Sequence, residues 1–339
     1  MTARLTLTRE QILAFRRAVG ALDERLPHRA RSLRRAAWAG LQDSMPRAAL
    51  LSIHARVENA HPTSWEHSSL AQIWGPRYST YVVASRDAAI FSLGRRPDAG
   101  RVRRWADDLA ARLHAMLRGR KMTDRAAGRA IGESANRLRY ASLTGRVRIR
   151  WEGAHAPLVW TVPPPAIDPH DARLELARRY LHVFGPTTAA VFRRWAGIAA
   201  RDAVAAFDTL RASLTPVRTP TGDAWILSAD EAAFRARPRP AAAARLLPSG
   251  DAYFLLRGAD RNLLVPDARQ RAALWTSRVW PGAVLVDGEI VGTWRRAGGL
   301  VTIAQWRALS RAARDAVAAE AAALPLPDVH GAIEVRWDR

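Results

Sequence analysis

TDRAAGRAIGESANRLRYASLTGRVRIRW, residues 123–151, reads as two short helices joined at Gly132, then a strand, with a returning wing that ends in LVWTVPPP. Helix, turn, helix and hairpin in that order is the pattern of a winged helix. The same order occurs on either side of it. Upstream, Thr8 is placed to cap a helix whose apolar rhythm runs through Ile12, Leu13, Phe15, Arg16 and Val19. ARSLRRAAWAG continues in helical spacing. After Pro46, AALLSIHARVE reads as a helix with Leu50, Leu51 and Val57 inward and the proline tolerated in its first turn. SSLAQIW reads as a further short helix, RYSTYVVAS as an alternating strand and RDAAIFSLG as a helix again.

Downstream, DARLELARRYLHVFG, TTAAVFRRWAGI and ARDAVAAFDTL read as three helices, with Thr187 capping the second and residues 199–210 forming a recognition-type helix. Strands follow near 214–218 and 224–227. PPPAIDP and RARPRPAAAAR lack periodicity and read as linkers. The last third changes character: RLLPSGDAYFLL, AVLVDGEIVGTWRR, GLVTI and AIEVRW are short β-type runs, with VDGE a hairpin turn. AQWRALSRAARDAVAAEAAAL reads as one long amphipathic helix over a barrel-like or curved sheet. The expected fold class is therefore α+β: tandem winged helices over residues 1–120, 121–166 and 167–240, followed by a small β-barrel-like domain over 245–339.

The charge constrains the partner. The 339 residues carry 53 basic against 31 acidic side chains, a net +22, and Lys121 is the only lysine. Exchanging lysine for arginine leaves net charge unchanged, so a merely arginine-rich composition does not explain the excess. Guanidinium groups grip phosphate bidentately, and neutralising phosphates releases counterions; the expected partner is double-stranded DNA. No cysteine is present and the nine histidines show no close pairing, so neither a metal centre nor a cofactor is expected. No apolar run reaches membrane-spanning length, and MTARLTLTREQ lacks a signal peptide's apolar core. A monomer in the cytoplasm, associated with the nucleoid, is the expectation.

GLQDSMPRAAL, residues 40–50, sets Gln42, Asp43 and Ser44 in a row before Pro46. Two readings stand side by side. The three polar residues carry chemistry, or Asp43 or Ser44 caps the following helix while Gln42 bonds backbone. His54, at least one helical turn further on, either faces a DNA cleft or is a polar surface residue. Arg77 and Tyr81 either contact phosphate and stack on a base or are ordinary strand residues. Lys121, Arg137, Arg139 and Arg146 form a basic cluster suited to phosphate. Trp38, Trp74, Trp105 and Trp195 fall on apolar helical faces and are assigned to the core.

GLQDSMPRAALLSIHARVE, LAQIWGPRYSTYVV, LARRYLHVFGPTTAAVFRRWAGI and LVDGEIVGTW together resemble the bacterial winged-helix DNA glycosylases of the azinomycin-resistance, crosslink-unhooking type. The resemblance runs in order along nearly the whole chain. It implies three tandem winged helices in a C-shape closed by a β-barrel, acting on alkylated or crosslinked purines. The signature of these enzymes is Gln, an apolar residue, then Gln or Asp. Here it aligns with Gln42, Asp43 and Ser44, so the first position is kept, the middle is polar and the third is changed. Their Arg-Gly-Thr-Leu-His strand aligns with Arg77, Tyr78, Ser79, Thr80 and Tyr81, without the histidine. Asp43 is then the carboxylate expected to replace the missing one, if the turn before Pro46 rotates it inward by the roughly 100° of one helical residue. A non-catalytic winged-helix DNA-binding protein is the alternative.

Overall fold

The computed structural model describes residues 5–45, 47–153, 155–327, 329 and 331–338. Its strands form three three-stranded sheets and one five-stranded sheet. In the first small sheet Thr80–Ala84 lies between Leu41–Gln42 and Leu70–Trp74, both antiparallel to it. SSLAQIW was expected to be helical, and Leu70–Trp74 is instead a strand with Ile73 and Trp74 buried. Five residues are too few to reveal their period; pairing with Thr80–Ala84 decides for the strand.

The second sheet places Leu158–Thr161 between Met122–Thr123 and Val147–Arg150. Thr123 caps the helix Asp124–Ala130 by accepting the Ala126 N–H at 3.3 Å. After Gly132 the expected second helix is a 3₁₀ run, Ala135–Thr144. The third sheet pairs Leu214–Thr219 with Gly222–Leu227, and Leu5–Thr6 adds a parallel edge from the far end of the chain. Its helices are Pro169–Phe184, Ala189–Ala196 and Ala200–Thr209. Thr188, not Thr187, caps the middle one, accepting the Val191 N–H at 3.4 Å. Thr187 is engaged one residue earlier, where its backbone bridges Trp225 in both directions at 3.0 and 2.8 Å.

The C-terminal strands follow the order Ala244–Leu247, Gly282–Val286, Glu289–Ala297, Leu300–Gln305, Glu334–Asp338. Asp287 and Gly288 turn the hairpin with φ of 49° and 83°, as VDGE suggests. The barrel does not close. The first and last strands do not pair among the described residues, and the sheet is open. Its last pair is parallel, which requires a crossover, and the helix Arg311–Ala322 supplies it across the face of the sheet. That helix is shorter than expected because AQW belongs to the strand Leu300–Gln305 and the bend after it, and Ser310 caps the helix at Ala313.

One large core joins the segments that sequence separates. Tyr81 and Phe91 pack in the same cluster as Tyr180, Phe184, Phe192 and Trp195, and as Tyr253 and Phe254. Arg16 belongs to the buried side of its helix, as its place in the apolar rhythm suggested; it donates to the carbonyls of Phe184 and Gly185 at 2.8 and 3.0 Å. Among the described residues no helix is long and apolar enough to cross a membrane.

Candidate active site

Gln42 ends the strand Leu41–Gln42 opposite Tyr81, and the chain stays extended enough for the Asp43 N–H to reach the Thr80 carbonyl at 2.8 Å. Successive side chains of a strand point to opposite faces. Leu41 and Asp43 are accordingly buried, Gln42 is half-buried and Ser44 exposed. Gln42 and Ser44 therefore share a face, and the Gln42 Nε2 donates to Ser44 Oγ at 3.0 Å. On the other end of the amide, Arg77 Nη2 and the Tyr81 hydroxyl both stand 3.4 Å from Gln42 Oε1 as donors. Gly250, with φ of 77°, backs the amide: a Cβ there would sit 3.4 Å from Gln42 Cδ and Nε2.

Asp43 does not turn to this face. Its Oδ1 accepts the Ala49 N–H at 2.9 Å, inside the helix Ala48–His54, and its Oδ2 accepts Gln72 Nε2 at 2.7 Å. Gln72 Oε1 in turn accepts the Trp151 N–H at 2.6 Å, tying the motif to the second sheet. Asp43 thus ties off the helix start, one of the two readings its sequence allowed; the expectation that it rotates onto the Gln42 face as a second catalytic oxygen is corrected. The segment is extended rather than helical, so one residue of offset means the opposite face. Pro46, assigned to the helix's first turn, lies outside the described residues.

Burial pushes the Asp43 carboxyl up to about 6, against the opposing pull of the Ala49 and Gln72 donors and of Arg47. The unfolded group titrates near 3.8. Between these values the folded state holds the extra proton, so Asp43's contribution is fully present below about pH 4 and is lost as pH rises through about 6. We expect Asp43→Asn to remove about 2–3 kcal/mol of decline from the stability profile across that window. Urea unfolding at pH 4 and pH 7 checks it; an equal decline in variant and parent refutes the assignment.

The other sequence candidates divide. Arg77 joins the Gln42 set, in a turn where it and Tyr78 have φ of 54° and 60°. Tyr81 joins it only through its hydroxyl. Its ring is fully buried, which pushes the phenol up to about 12 and leaves no face for a base to stack on. His54 does not line a cleft. It is buried, Arg25 stands 3.3 Å from its Nε2, and Glu320 of the C-terminal helix lies at 3.9 Å. Burial, with Arg25 and Arg245 nearby, pushes its imidazole down to about 4 despite Glu320. A neutral, buried ring has no phosphate to hold.

Lys121 lies 4.8 Å over the Trp160 ring, and Arg137 pairs with Glu133 at 3.3 Å. Arg139 is exposed and Arg146 half-buried. No hydrogen bond or ion pair among the described residues links these four to Gln42. Trp74 and Trp195 are in the core as assigned, Trp74 from a strand; Trp38 and Trp105 are only partly covered. Among the described residues no group of three or more His, Asp or Glu side chains is placed to hold a metal ion.

Three arginines that sequence reading passed over complete the surroundings. Beside Arg77 opens a cavity of about 330 Å³ lined also by Arg193, Arg194, Gly197, Ile198 and Arg257. The signal available beforehand was slight: a pair of arginines ending a helix in AVFRRW and one interrupting the apolar run FLLRG.

A polar amide and a hydroxyl on one rim, backed by arginines, can hold water and bind phosphate. The DNA glycosylase AlkZ-like family model matches residues 35–325. The chain belongs to this family. An interstrand DNA cross-link repair glycosylase of Streptomyces sahachiroi is 27% identical over 223 residues, a match that spans 56% of this chain and 58% of that relative's length. The solved structure of the Streptomyces sahachiroi DNA glycosylase AlkZ superposes with a TM-score of 0.76 over 98% of this chain and 100% of that one, at 18% identity. At that identity the likeness is one of fold, and it confirms the mixed α+β class. Within the AlkZ-like chain, positions 42 and 44 share the outer face and position 43 faces in. A hydrogen-bonded carboxyl occupies that inner position.

Proposed function

We propose that this AlkZ-like chain is a monofunctional DNA glycosylase that hydrolyses the N-glycosidic bond of cationic alkylated or crosslinked purines in double-stranded DNA. The observation that carries the reading is the pairing of Gln42 with Ser44 on one half-open face, bordered by Arg77. Alkylation at N7 or N3 makes the purine a cationic leaving group that needs little acid catalysis. The remaining demands are a held water and oxygen dipoles turned toward the positive charge that builds on the sugar. Gln42 Oε1 and Ser44 Oγ supply those oxygens, and Ser44 Oγ accepts a hydrogen bond from the water. Tyr81 and Arg77 hold the amide orientation, and Asp43 fixes the backbone from behind.

In this reading, residues 1–120, 121–166 and 167–240 are three winged-helix units arranged as a C, each with its own small sheet, and 245–339 is the β-rich closing domain. Leu5–Thr6 then lends a strand to the third unit. Lys121, Arg137, Arg139 and Arg146 meet phosphates, and the helix Ala200–Thr209 is the recognition-type element. The protein acts as a monomer in the cytoplasm, at the nucleoid.

Free base and alkali-labile abasic sites from duplex DNA carrying N7-methylguanine test the proposal. A second reading, a DNA-binding protein without catalysis, is favoured by one feature: with Asp43 turned into the core, no carboxylate among the described residues hydrogen-bonds with Gln42. Tight, salt-dependent binding without release from methylated or crosslinked duplexes decides for that reading. Ser44→Asp separates them further. It places a carboxylate beside Gln42, and we expect release to rise at least about tenfold, toward the contribution of a positioned base. An unchanged rate in Ser44→Asp means that position 44 does not touch the reacting atoms.

A further inference from the structure

Several arginines that bridge separate elements of the fold are neutralised by a carboxylate. Arg56 meets Asp251, Arg173 meets Asp98, Arg179 meets Asp87 and Arg25 meets Glu320, all between 2.7 and 2.9 Å. The cavity beside Arg77 differs from these pairs. Arg77, Arg193, Arg194 and Arg257 line it, and none of them ion-pairs with an Asp or Glu among the described residues. The four come from three separate parts of the chain: the turn before Thr80–Ala84, the end of the helix Ala189–Ala196, and the segment before Asp260–Leu264.

Their convergence is built into the backbone. Gly197 ends its helix with φ of 74°, and a Cβ there would stand 3.2 Å from the Arg77 nitrogen and 3.3 Å from its Cα. Glycine adopts that φ without strain and lets the helix end approach the Arg77 turn without a shift of either. The guanidiniums also feel one another: burial first, and then Arg77 and Arg194, push the Arg257 guanidinium down. Four converging, uncompensated cations are unfavourable alone and call for a bound anion.

We propose that this pocket binds a backbone phosphate of the DNA strand carrying the target nucleotide, and that Arg77 links that phosphate to Gln42. The coupling rests on the glycosylase reading; the binding does not. Hydrolysis brings a cationic purine, and then a positively charged sugar, to an amide whose oxygen is 3.4 Å from Arg77. With the pocket unfilled, its positive field opposes both. A phosphate seated among the four arginines cancels that field, so the substrate brings the anion that makes the site hospitable to its own positive charge. A free alkylpurine nucleoside, which carries no phosphate, is then excluded as a substrate. The selection for DNA over free nucleosides thus lies in the pocket rather than in base contacts.

The full-length protein and its Arg193→Gln/Arg194→Gln and Arg257→Gln variants would be titrated with duplexes containing a tetrahydrofuran abasic analogue, which cannot be cleaved. In a series of these duplexes one linkage near the analogue at a time is a neutral methylphosphonate. Arg193 and Arg194 are exposed and Arg257 half-buried, so the substitutions leave the core intact. We expect one linkage whose neutralisation weakens the parent at least about tenfold and the variants less than about twofold. The log–log salt slope should fall by about 0.9 for each phosphate that the variant no longer neutralises, and stay at the parent value in the exposed control Arg269→Gln. Equal losses of affinity for parent and variants at every linkage, or an unchanged slope in the variants, overturn the pocket. Base release is scored separately. Linkage-dependent binding without release keeps the pocket and removes the glycosylase, whereas release without linkage dependence keeps the enzyme and removes the pocket.

Discussion

Gln42→Ala should lower base release from N7-methylguanine duplexes by about 10²–10³-fold while leaving DNA affinity within about twofold. The magnitude is that of removing one preorganised polar group from a site where charge develops in the transition state. The side chain is half-buried, and its links to Arg77 and Tyr81 are long at 3.4 Å, so the fold does not depend on it. Thermal midpoint and salt-dependent binding should therefore match the parent, and the loss should appear in kcat more than in KM, as for an interaction made chiefly in the transition state. A variant that releases base at the parent rate would show that Gln42 belongs to the turn and not to the chemistry. A variant that loses binding in parallel would make it a DNA contact instead.

Asp251→Ala should cost about 3–5 kcal/mol of stability, the effect of leaving a buried charge without its partner. Asp251 receives Arg56 Nη1 and Nη2 at 2.7 Å each, the Ser52 hydroxyl at 2.6 Å and the Tyr253 N–H at 2.9 Å. The Arg56 and Asp251 side chains are 3% and 0% exposed, so water cannot replace the missing carboxylate. The pair joins the segment after Ala48–His54 to the loop after Ala244–Leu247, so its removal loosens the contact between these two segments. Denaturant unfolding reads this as a lower midpoint at an unchanged slope. The double variant Arg56→Met/Asp251→Leu should recover much of the stability, because it removes both charges together. A cost below about 1 kcal/mol in Asp251→Ala would mean that Arg56 reaches solvent.

Sequence reading brought Gln42, Asp43 and Ser44 forward together but misjudged how they divide, and the reason is physical. The motif is recognisable as a string, yet which of its residues faces out depends on whether the backbone repeats every two residues or every 3.6. Residues 41–43 pair with Thr80–Ala84, a contact between positions some forty apart in the chain. That pairing puts Gln42 and Ser44 together and Asp43 with Ala49 and Gln72. Leu70–Trp74 was misread for the same reason. His54 and Tyr81 show the complementary limit: both are polar by type, and only the packing of Arg25, Glu320 and the large core around them shows that neither ring is open to a partner.

What the sequence by itself determined is local or global, with little in between. The Thr8 cap, the Asp287–Gly288 hairpin and the helices that follow residue 168 come from backbone chemistry within a few residues. The net +22 charge follows from a sum over all residues, and its excess points to a polyanion wherever the individual arginines lie. The tertiary structure alone decided the open C-terminal sheet, the inward turn of Asp43 and the meeting of Arg77, Arg193, Arg194 and Arg257. These depend on contacts between residues far apart in the chain, set by how the sheets and helices pack, and no local period or cap encodes them.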